Sequence, residues 1–114
     1  MAGGLRFRAE ATPLATKSFP VGTTVLVTAA SLIGVQRPGI YRLTLIGAAT
    51  ATFQFQDTAA TALSAVYPLG AAQFILDTPI NGDPWWQPAA PGLGLQILVA
   101  GATIVGDIWT ALGA

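Results

Sequence analysis

From Thr52 to Gln56 apolar and polar residues alternate without exception, with Phe53 and Phe55 on one side and Thr52, Gln54 and Gln56 on the other. Successive side chains of an extended chain point to opposite faces, so this period of two predicts a half-buried strand with its aromatics in the core. The same constraint governs the rest of the chain, because 13 Gly and 8 Pro cut it into short runs with no helical periodicity longer than a turn. Ile40 to Ile46 predicts a second strand, with Tyr41, Leu43 and Leu45 on one face and Arg42 and Thr44 on the other. Thr23 to Ala29 is β-branched and apolar and reads as a strand covered on both sides.

Weaker runs complete the set. Leu5 to Ala11 alternates Leu5, Phe7, Ala9 and Ala11 with Arg6, Arg8 and Glu10. Ala62 to Tyr67 predicts a strand that Pro68 stops, and Ala72 to Asp77 one with Phe74 and Leu76 inward and Gln73 and Asp77 outward. Ala30 to Gly39, with Gly34, Pro38 and Gly39, reads as a loop, with a short strand within it as the alternative. Near the end, Leu93 to Ala100 and Thr103 to Thr110 are separated only by Gly101-Ala102 and are expected to pair as a hairpin. About eight short strands with Pro and Gly between them describe an all-β chain, a single-domain β-sandwich or jelly roll. Residues 1–21 are expected to be an N-terminal arm with a possible edge strand, and residues 22–114 the sandwich.

The surface of such a fold has little charge to cover it. Hydrophobic residues make up 53% of the chain and charged ones 9%, against roughly 25% charged in an ordinary soluble domain. With 13 Thr and 6 Gln the outer face is neutral-polar, buried against copies of itself, or buried against a larger partner. Five basic residues cancel five acidic ones, which leaves no electrostatic footprint for nucleic acid. The N-terminal residues lack the apolar run of a signal peptide, so a cytosolic start is expected. Pro84 to Gly106 carries no charge but is broken by Pro and Gly, and makes a poor membrane helix.

Reactive chemistry has few residues to draw on. There is no Cys or His, which removes disulfides, thiolate metal sites and the commonest general base. The carboxylates are Glu10, Asp57, Asp77, Asp83 and Asp107, scattered singly; Asp57 and Asp83 read as turn residues that bond their own backbone. Phe74-Ile75-Leu76-Asp77-Thr78 resembles the active-site signature of retroviral-type aspartic proteases, but Pro79 stands where that signature has Gly. Proline supplies no backbone N–H and fixes φ, so the loop could not form. Neither an enzyme nor a cofactor or metal is expected.

The remaining candidate is the loop Asp83-Pro84-Trp85-Trp86-Gln87. Adjacent residues on extended chain face opposite ways, so one indole can plug the end of the sandwich while the other faces outward; the alternative is that both are core plugs or subunit contacts. An exposed indole beside Asp83 and Gln87 would suit a sugar ring.

Asp83-Pro84-Trp85-Trp86, then Pro91-Gly92-Leu93-Gly94-Leu95-Gln96-Ile97, then Val105-Gly106-Asp107-Ile108-Trp109, together resemble small β-sandwich virion proteins of tailed bacteriophages. The resemblance covers roughly residues 38–110. It implies a capsid decoration or cement protein, a homotrimer bound to the major capsid protein of the phage head, assembled in the host cytoplasm and located in the virion. A knob on a phage fibre or tail that binds a glycan is the alternative it implies. Under the first reading the arm, with Arg6, Phe7 and Arg8, is expected to lie on the shell or a neighbouring subunit; otherwise Arg6 and Arg8 are a solvated face.

Overall fold

The computed structural model describes residues 11–70, 74–77 and 83–113. Its strands are β1 (Thr12–Pro13), β2 (Ser18–Phe19), β3 (Gly22–Val27), β4 (Arg37–Gly47), β5 (Thr52–Asp57), β6 (Tyr67–Pro68), β7 (Phe74–Asp77), β8 (Leu95–Ala100) and β9 (Ile104–Gly113). A single 3₁₀ turn, Ala29–Ser31, follows β3. All pairings are antiparallel. One sheet runs β1-β9-β4-β7, with β2 also on β9, and the other runs β3-β8-β5-β6.

This order selects between the two architectures expected from the sequence. From β2 onward the chain changes sheet at every connection except β5 to β6. Strands 2-9-4-7 face strands 3-8-5-6, which is the eight-stranded jelly roll of two interleaved Greek keys.

The core forms where the period-two faces of the two sheets meet. Phe53 and Phe55 of β5, Leu95, Ile97 and Val99 of β8, Leu43 and Leu45 of β4, and Ile104 and Ile108 of β9 are all buried together. Phe19 of β2 is fully buried in the same cluster. Gln54, paired with Leu98, faces the other side of its sheet, as the alternation requires.

Several expectations are corrected. The two C-terminal strands do not form a hairpin: β8 pairs with β3 and β5, whereas β9 pairs with β4, β1 and β2. Residues 101–103 carry the chain across the gap of ~10 Å between facing sheets. The crossing depends on Gly101, whose φ is 85° and where a Cβ would stand 2.0 Å from the Thr50 carbonyl oxygen. β3 is an edge strand, so its side chains alternate between half-buried and exposed up to Val25 and are not covered on both sides. Pro68 does not stop a strand over Ala62–Tyr67. It belongs to β6, a two-residue edge strand on Thr52 and Phe53, where the missing N–H costs nothing. Ala62 makes only an isolated bridge to Gln56.

β4 begins inside the stretch read as a loop, taking in Pro38 and Gly39, because β9 runs on to Gly113 and offers Leu112 and Ala111 as partners. The β4–β9 register shifts between Ile40 and Arg42, so Tyr41 is an extra residue in the ladder. Tyr41 is accordingly buried but stands outside the main core cluster.

Of the N-terminal region, residues 12–19 lie against the body. β1 and β2 pair with the outer edge of β9, joined by hydrogen bonds from Leu14 N–H to the Ile108 carbonyl (2.9 Å) and from Gly106 N–H to the Lys17 carbonyl (2.9 Å). Lys17 also forms an ion pair with Asp107. The alternating run Leu5 to Glu10, with Arg6, Phe7 and Arg8, lies outside the described residues, as does Gln73.

Candidate functional site: an aromatic loop at the open edge

The free side of β4 is shared by two segments. β7 serves it from Leu45 to Arg42, and at Ile40 the pairing passes to Trp86. Ile40 N–H donates to the Trp86 carbonyl (3.0 Å) and Trp85 N–H to the Ile40 carbonyl (2.8 Å). These two bonds tie the backbone of the Trp pair to β4, and the chain bends at Trp85. Trp86 packs against the core, whereas Trp85 is 44% exposed.

Trp86 joins a chain of aromatic rings along the β6–β7 edge of the sandwich. Its ring centroid is 4.9 Å from that of Phe55 and 5.9 Å from that of Tyr67. Phe53 lies 5.0 Å from Phe74 and 5.6 Å from Tyr67, with Phe53 and Phe74 edge to face. Such spacings are those of favourable aromatic pairs. They close the open edge between the last strands of the two sheets. Trp85 stands outside this plug, 6.3 Å from Trp86 and tilted 39° to it.

The loop is held from both ends. Pro84 packs on Gly39, where any Cβ would come within 2.8 Å of the proline ring. Beyond the tryptophans, an Arg37 Nη1 donates to the carbonyls of Pro88 (3.2 Å) and Ala89 (3.5 Å). Pro88 is buried and Gln87 half-buried, while Asp83 is exposed. Beside Pro84, burial first and the Asp83 carboxylate second push the Tyr41 phenol up to about 12.

The resulting surface is an exposed indole on a rigid mount, with a carboxylate two residues away in the chain. Its chemistry is stacking and hydrogen bonding. Asp57, read as a turn residue, has that role: its buried carboxylate accepts from the N–H groups of Ala59 (2.9 Å) and Thr61 (3.0 Å). Asp107 is engaged by Lys17. Among the described residues no group of three His, Cys, Asp or Glu side chains could hold a metal ion, and no helix is long and apolar enough to cross a membrane. Trp109, the third tryptophan, is half-buried under the Arg42 guanidinium, 4.8 Å from its ring centroid.

Of the four loop candidates, Asp83 and Trp85 are exposed and Gln87 is half-buried, while Trp86 packs against the core. Arg6, Phe7 and Arg8 fall outside the described residues. Sequence reasoning did not reach Tyr41, Gly39 or Arg37, which shape the loop from more than 40 positions away; only the Arg-Pro-Gly run before a strong strand marked that place. Compared with protein-family models, curated proteins and solved structures, the chain matches none.

Proposed function

We propose that this protein is a non-enzymatic structural subunit of a virion, a decoration or cement protein that bridges coat subunits on the head of a tailed bacteriophage. The observation that carries the proposal is the surface. Among the described residues ten large hydrophobic ones are exposed, including Ile33 at 77%, Val35 at 67%, Ile75 at 58% and Trp85 at 44%. The whole chain supplies only ten charges. A jelly roll with such a surface gains by being covered, and burial against a shell returns roughly 25 cal/mol per Å² before ordering costs. The fold alone hosts many functions and adds no weight by itself.

The bridging mechanism is mechanical: the sandwich is a rigid body, and its apolar patches and the N-terminal arm engage neighbouring coat proteins. The test is co-sedimentation with purified heads that lack their own decoration, using the full chain and a variant lacking residues 1–11. That deletion spares β1 and every other described strand, and circular dichroism of the shortened chain checks that it folds. The full chain is expected to bind and raise the temperature of head disruption, and the shortened chain is expected not to bind. A full chain that stays in the supernatant would overturn the proposal.

One observation favours a second reading, a glycan-binding knob of a fibre or tail. Trp85 offers an indole face on a braced loop, next to exposed Asp83. On that reading Trp85→Ala abolishes saccharide binding and leaves the mass of the particle unchanged. Absence of any ligand on a glycan array counts against it.

A further inference from the structure

The described strands leave four sheet edges, and three of them are blunted. The outer edge of β9 is covered by β1 and β2, short segments that contain Pro13 and adjoin Lys17. β6 is two residues long and ends in Pro68. Among the described residues β7 is four residues long, Phe74–Asp77. Short strands, proline and charge are the devices by which sheets avoid edge-to-edge pairing. Among the described residues β3 has none of these three, and of the bulges that serve the same end it has one, confined to the end beyond Val25. It reads Gly-Thr-Thr-Val-Leu-Val over six residues, lies at the end of its sheet, and is regular against β8 from Gly22 to Val25 before a bulge. None of the additional backbone hydrogen bonds among the described residues reaches Gly22–Val27.

The surroundings of that edge are also uncharged. No Asp, Glu, Lys or Arg occurs from Ser18 to Gln36. Within this stretch Val21 is 60% exposed, Val25 48%, Ile33 77% and Val35 67%. Across β3, the paired outward positions Leu98 and Gln96 of β8 add no charge either. A surface of this kind meets its own copy without like-charge repulsion and without leaving a charge unpaired.

We infer that the β3 edge is a self-association surface, on which β3 of a second copy pairs antiparallel about a two-fold axis and joins the two four-stranded sheets into one. The symmetry sets the register. Residues of one face must oppose residues of the same face, so a residue has to lie on the axis. An axis at Thr24 sets exposed Thr23 of each copy opposite exposed Val25 of the other and keeps the regular part of the strand in the pair. The contact is independent of what the assembled particle does. It also differs from the threefold assembly that the virion resemblance implies, and mass tells the two apart.

The experiment uses the full chain, whose lack of cysteine makes single-cysteine variants unambiguous. Sedimentation across a wide concentration range is expected to show a monomer–dimer equilibrium. Thr23→Lys combined with Val25→Lys sets four like charges around the axis and weakens it at least about tenfold. Both positions are exposed, so the circular-dichroism spectrum is unchanged, and added salt partly restores the dimer. Thr24→Cys forms an inter-subunit disulfide on mild oxidation, since cross-strand Cα atoms lie within disulfide range, and Thr58→Cys does not. A wild-type chain that is monomeric at millimolar concentration, or trimeric, overturns the inference. So does a double-lysine variant that dimerises as well as the wild type. Loss of head binding with the dimer intact would instead remove the virion reading and leave this contact standing.

Discussion

The two adjacent tryptophans should respond very differently to truncation. Trp86→Ala removes a partly buried indole that touches Phe55 and Tyr67 at centroid distances of 4.9 and 5.9 Å. An aromatic side chain buries roughly 150–250 Å² in full, and ~120 Å² for this half-buried ring at 25 cal/mol per Å² gives about 3 kcal/mol. Phe55 and Tyr67 can relax only in part into the space, which keeps the loss near that value despite the overestimate built into an extended-chain reference. Trp85→Ala removes a ring that is 44% exposed and outside the plug, and should cost under about 1 kcal/mol. Urea denaturation of both variants measures the difference directly; in thermal melts, a loss of 3 kcal/mol lowers Tm by roughly 10–15 °C for a domain of this size. Equal losses, or a larger one for Trp85→Ala, would refute the assignment of Trp86 as the inward plug.

Other expectations follow from the same geometry. Asp57→Ala removes the buried acceptor of the N–H groups of Ala59 and Thr61, which lie on exposed residues, and should cost about 1 kcal/mol, whereas Asp57→Asn keeps an acceptor and should cost less; urea titration separates the two. Gly101→Ala places a methyl against the Thr50 carbonyl at a φ that disfavours it, and should abolish soluble expression or lower stability by more than about 3 kcal/mol. Ala60 holds a φ of 66°, so Ala60→Gly should be neutral or stabilising by up to about 1 kcal/mol, read from the denaturation midpoint. The phenol of Tyr41 is raised from 10.0 to about 12 in the folded chain. Its folded pKa exceeds its unfolded one, so the associated stability is complete below pH 10 and is lost as pH rises towards 12. Denaturation at pH 9 and pH 11.5 should show that loss in the wild type and a smaller one in Tyr41→Phe.

Sequence patterning alone determined the all-β class and much of the core. Where a strand lies inside a sheet with one face on the core, alternation is imposed by geometry, and Phe53, Phe55, Leu43, Leu45, Ile97 and Val99 are all buried as their spacing requires. Pattern also placed Asp57 at a turn, because that interaction is local. Tertiary structure decided how the strands are joined. Whether β8 turns back on itself or crosses to the other sheet at Gly101 depends on the position of Thr50, half a chain away, and a short Gly-Ala link is compatible with both. Edge and centre are equally invisible locally, so β3 reads as a covered strand although β8 alone of the described strands pairs with it. The orientation of Trp85 and Trp86 is of the same kind. Their rings lie 6.3 Å apart, and the bridge from Trp86 to Ile40 decides which indole enters the core.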